Sequence, residues 1–113
     1  MPKGSERLTN ARKEEIINAC AKLYTTMNFK DITLKQISLE TTFTRTSIYN
    51  YFQTKEEIFL ALFQREYDLW TADIRQIFEK YEVMTVDEFA SALAHTLEKR
   101  ECLLKLLSMN HYD

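Results

Sequence analysis

From residue 5 to its end the chain contains neither glycine nor proline; the single Gly and single Pro among 113 residues both fall within the first four positions. Hairpin turns and irregular loops lean on those two residues. A chain without them is expected to be all-α, with its helix ends made by side-chain caps. Hydrophobic residues at 45% and charged residues at 28% are ordinary for a folded globular protein and exclude a disordered one. The length suits one modest domain, or a small domain and the beginning of another.

The caps divide the chain into helices. Residues 1–9 read as a polar arm carrying Lys3 and Arg7, with Asn10 as N-cap of a first helix over about 11–27. Ile16, Cys20, Leu23, Tyr24 and Met27 form one helical stripe on it. Thr33 and Gln36 have capping-box spacing, which starts a second helix at Leu34 and carries it to about 41. There Thr41, Thr42 and Thr44 compete for backbone groups and force a turn. Thr44 caps a third helix over 45–51, whose Ile48 and Phe52 share an inner face. Thr54 with Glu57 and Thr85 with Glu88 open two longer helices, over about 55–81 and 86–107. The domain boundary is expected at 54/55.

The net charge of −2 conceals a partition. Residues 1–55 hold nine Lys/Arg against five Asp/Glu, net +4; residues 56–113 hold six against twelve, net −6. A polyanion would be drawn to the first half and repelled by the second.

Two short helices joined by a tight turn, the second opening with small polar and basic residues, suit the major groove of double-stranded DNA. With Ile48 and Phe52 turned inward, Thr46 and Asn50 point most directly outward, flanked by Ser47 and Tyr49. Arg45 is long enough to reach a guanine edge or a phosphate, and Asn50 suits adenine. Thr46 and Ser47 can serve several bases. Arg45, Thr46, Ser47 and Asn50 are thus the candidate base readers. Thr33, Lys35, Thr44, Tyr49, Tyr51 and Lys55 sit at helix starts, or carry hydroxyl or ammonium groups, and are the candidate phosphate holders. Phe43 and Phe52 read as core; Tyr49 and Tyr51 fit either role.

These residues carry a resemblance. Residues 16–63 resemble the N-terminal domain of the tetracycline-repressor (TetR-like) family, most specifically in the run TRTSIYNYFQTKEEIF at 44–59. The resemblance implies a three-helix DNA-binding head and a fourth helix leading to an all-helical ligand-binding body. It also implies a homodimer on a palindromic operator and release of a repressor by a small-molecule effector. By the match, residues 44–47 and 49–51 inherit DNA contacts, and Lys55 resembles the family's phosphate-gripping lysine. Tyr49, Phe52 and Lys55 carry the strongest likeness. The sequence departs where the family usually has Gly, at Asn28 and Thr42. A β-branched Thr at positive φ is strained by roughly 1–2 kcal/mol, so Thr42 implies either a turn with negative φ or a strained one.

In the second half, Trp70, Phe89 and Leu93 lie on apolar stripes and are candidates for an effector pocket, although such stripes usually form plain core or a dimer surface. His95 and His111 stand alone, Cys20 and Cys102 belong to no metal or redox motif, and no nucleophile or paired carboxylates suggest catalysis. No cofactor, metal or enzymatic activity is expected. No apolar run spans a bilayer and no signal peptide is visible, so a cytoplasmic location is expected. The apolar face near residue 107 has gained few partners, from which a truncated regulatory body is expected. The competing reading is a helical protein-interaction module without DNA binding.

Overall fold

The computed structural model describes residues 3–109. Its elements are α1 (Lys3–Tyr24), a 3-10 turn (Phe29–Asp31), α2 (Leu34–Leu39), α3 (Arg45–Ile48), α4 (Lys55–Lys80), α5 (Val86–Glu98) and α6 (Glu101–Leu107). No strand occurs among the described residues, and the fold is all-α. The chain forms two compact units that divide between Leu62 and Phe63, within α4.

The core of the first unit follows the helical stripes. Ile16, Cys20 and Tyr24 are buried on α1, Ile37 on α2, Ile48 on α3, and Ile58, Phe59 and Leu62 on α4. Each such aliphatic side chain contributes about 1.5–3 kcal/mol when fully buried. Phe59 makes T-shaped contacts with Tyr24 and Phe29 at centroid distances of 5.1 and 4.8 Å. That cluster explains why the opening turns of α4 belong to the first unit, whereas the sequence boundary fell just ahead of them.

α1 starts earlier and ends earlier than expected. Residues 6–10 contain nothing that stops a helix, and extending an existing helix adds a hydrogen bond per residue without a new nucleation cost. Asn10 is therefore an exposed interior residue of α1 and not its cap. Residues 1 and 2 of the expected arm lie outside the described residues. At the other end the Thr25 and Thr26 hydroxyls donate to the carbonyls of Lys22 and Leu23 at 2.7 and 3.5 Å. This competition ends α1 at Tyr24.

The capping boxes at Thr33/Gln36 and Thr85/Glu88 are complete. α2 ends at Leu39, where Thr41 donates its hydroxyl to the Ser38 carbonyl at 2.8 Å and accepts from the Phe43 N–H at 3.0 Å.

In the second unit the single helix expected over 86–107 is two. α5 ends at Glu98, and Arg100, at φ −100° and ψ 65°, leaves helical geometry before α6 begins. There its guanidinium makes two hydrogen bonds to Asp73 on α4, at 2.8 and 3.0 Å. Leu103 and Leu106 are then buried on α6, whereas Leu104 and Leu107 are exposed.

Candidate nucleic-acid interface

The motif is assembled from its caps. Thr44 Oγ1 accepts the Ser47 N–H at 3.1 Å and lies 3.0 Å from Ser47 Oγ, which fixes the first turn of α3. The α-helix proper is shorter than the expected 45–51. Beyond Ile48 the N–H groups of Tyr49, Asn50 and Tyr51 donate to Thr46, Ser47 and Ile48 carbonyls, the i to i−3 pattern of a 3-10 turn. Phe52 N–H returns to the Ile48 carbonyl at 3.0 Å. Short helix ends commonly tighten in this way because it satisfies orphan carbonyls. Gln53 completes the end by donating its side-chain amide to the Tyr49 carbonyl at 2.7 Å.

Ile48 is fully buried and Phe52 is buried beside it, so the opposite side of the segment faces out. Arg45, Thr46, Tyr49 and Asn50 are exposed; Ser47 and Tyr51 are half-buried. Three of the four candidate base readers thus share an exposed polar surface at the start and outer side of the segment. The fourth, Ser47, has its hydroxyl engaged with the Thr44 cap.

The candidate phosphate holders are placed unequally. Lys35 is exposed near the start of α2. The Thr33 hydroxyl accepts the Gln36 N–H and lies 3.2 Å from Gln36 Oε1, so it is engaged in its own capping box. The Tyr51 ring leans on Phe43 at 6.0 Å. Lys55 donates from Nζ to the Phe29 carbonyl at 2.7 Å, and its ammonium lies 4.1 Å from the centroid of the Phe29 ring. This lysine ties the connector after α1 to the start of α4, and a phosphate would share it with that carbonyl.

Three residues that sequence reasoning missed support the motif. Glu15 accepts from Thr42, Arg12 stands over the Phe43 ring, and Gln53 caps the reading segment. Only Gln53, four residues after Tyr49, leaves a local trace in the sequence. Among the described residues no non-glycine residue has positive φ. Thr42 therefore makes its turn with negative φ, and Asn28 is extended at φ −87°.

In the second unit Trp70 donates from Nε1 to Thr96 Oγ1 at 3.0 Å, and Thr96 donates to the Leu93 carbonyl at 2.6 Å. Phe89 pairs with Phe78 at 5.6 Å. A recess of about 220 Å³ between α4 and α5 is lined by residues including Asp73, Lys80, Tyr81, His95 and Lys99, and not by Trp70, Phe89 or Leu93. His95 is largely exposed, 3.9 Å from Glu98. His111 lies outside the described residues. No group of three or more metal-ligating side chains occurs among the described residues, and no helix there is long and apolar enough to cross a membrane.

A short helix with a buried apolar side and an exposed polar side, set after a capped turn, defines the helix-turn-helix class of DNA-binding regulators. Comparison with known families agrees. Residues 16–62 match the model described as bacterial regulatory proteins, tetR family, and residues 64–112 match the model described as tetracyclin repressor-like, C-terminal domain. The chain belongs to the TetR family of transcriptional regulators. No curated protein and no solved structure gives a match to the chain.

Proposed function

We propose that the chain is a sequence-specific transcriptional repressor that binds a palindromic operator as a homodimer in the cytoplasm and is released by a small-molecule effector. Arg45, Thr46 and Asn50 read base edges, and Ser47 assists through the hydroxyl it shares with the Thr44 cap. Lys35, Tyr49, Tyr51 and Lys55 hold phosphates, with Thr33 and Thr44 contributing at the helix starts. The observation that carries this reading is the outward polar side of residues 45–50, held in place by the buried Ile48 and Phe52. The effector site is assigned to the second unit; Trp70, Phe89 and Leu93, its candidates from the sequence, lie outside the lining of the recess described there.

The test uses the full chain and a duplex recovered from a randomised pool. Arg45→Ala is expected to weaken binding to that duplex by about 1–3 kcal/mol and to relax preference at one base pair. Lys35→Ala is expected to weaken selected and scrambled duplexes alike and to reduce the slope of log K against log salt by about 1. Unchanged affinity in both variants rejects the reading. The acidic second half favours one rival, a protein-interaction module, for which duplex binding and its steep salt dependence would both be missing.

A further inference from the structure

The turn between α2 and α3 is held from outside the motif. Glu15, on α1, accepts two hydrogen bonds on one oxygen, Oε2: from the Thr42 N–H at 2.7 Å and from Thr42 Oγ1 at 2.9 Å. Three residues earlier and on the same side of the helix, the Arg12 guanidinium carbon lies 5.7 Å from the centroid of the Phe43 ring. Two neighbouring side chains of α1 therefore hold two consecutive residues of the turn.

By the resemblance described above Thr42 stands where the family usually has glycine, and it turns without positive φ. Its N–H is bound by a carboxylate supplied from 27 positions away in sequence. A carboxylate beside a DNA-reading segment repels phosphate and so weakens binding to any duplex. What Glu15 gives in return is geometry.

We propose that Glu15 is a positioning residue for DNA reading: through Thr42 it sets the angle at which Arg45, Thr46 and Asn50 are presented. The inference rests on the function proposed above. Glu15 touches no base itself. It converts a turn that glycine would make by backbone freedom into one made by a fixed acceptor, so that losing the acceptor leaves the first residues of α3 less firmly aimed.

The experiment compares the wild-type chain with Glu15→Gln, Glu15→Ala and Thr42→Val. Each is measured on the duplex recovered from a randomised pool with the wild type and on a scrambled duplex of equal length, with helicity and melting followed alongside. Glu15→Ala is expected to lower the ratio of selected to scrambled affinity about tenfold, because the Thr42 N–H and hydroxyl both lose their acceptor. Its salt slope on the scrambled duplex stays at the wild-type value, since no phosphate contact is removed. Glu15→Gln keeps an oxygen for the N–H and retains most of the ratio; Thr42→Val loses only the hydroxyl and falls between.

Equal tightening of both duplexes in Glu15→Gln and Glu15→Ala would reduce Glu15 to a nearby charge and overturn the inference, as would an unchanged ratio in Glu15→Ala. Should Glu15→Ala fail to fold, wild-type ratios in both folded variants, Glu15→Gln and Thr42→Val, overturn it equally. A wild type that selects no duplex at all is a different failure: it removes the DNA-reading proposal itself.

Discussion

At Thr42 a side chain replaces backbone freedom, and similar substitutions of one device for another recur at single residues. Lys55, proposed above as a phosphate holder, has its ammonium already bound to the Phe29 carbonyl and placed over the Phe29 ring. Cys102 is a thiol made inert by its surroundings: burial, assisted by the Glu66 carboxylate, pushes its pKa up to about 11. Alkylation of Cys102 is therefore expected to be slow at pH 8 and to accelerate roughly tenfold per pH unit until about pH 11, since only the thiolate reacts. A rate that levels off near pH 8 or 9 contradicts the placement. What sequence reading located among residues were those whose role is local, such as Thr44 as a cap and Ile48 and Phe52 as an inner face. Glu15 was invisible because its partner lies 27 positions away and nothing in a run of glutamates on α1 distinguishes one from the next.

Among elements, the starts of α2, α3 and α5 were legible because a cap is written within four residues. The break between α5 and α6 was not, because no glycine or proline marks it and its cause is the long-range pair of Arg100 with Asp73. Hydrogen bonds from Arg100 hold the Asp73 carboxyl below its ordinary value of 3.8, with the charges of Arg100 and Lys99 assisting and burial opposing. The same pair raises the guanidinium of Arg100, which stays charged throughout the accessible range. A carboxyl whose folded pKa is depressed stabilises the fold fully above its unfolded value and loses that contribution as pH falls through the folded one. Asp73→Asn is thus expected to cost about 1–3 kcal/mol near pH 7, with the gap to wild type closing below about pH 4. Equal melting of the two proteins at pH 7, or a gap that persists in acid, would show that the pair does not hold this junction.

Across the whole molecule, the charge partition and the all-α fold were both present in the sequence, the first as a count and the second as the near absence of glycine and proline. The shape of the reading segment was not, since its last turn tightens to 3-10 geometry once Phe52 is buried and Gln53 caps it. The partition makes the first half attractive to a polyanion and the second half repulsive to one. Titration of the full chain with a selected duplex, followed by the chemical shifts of its backbone amides at physiological salt, tests this most directly. The expected result is that the amides of residues 44–51 and those at the start of α2 move first and farthest. Shifts confined to residues 86–107, or none in 44–51 at saturation, would contradict the central claim that the polar side of this segment meets the duplex.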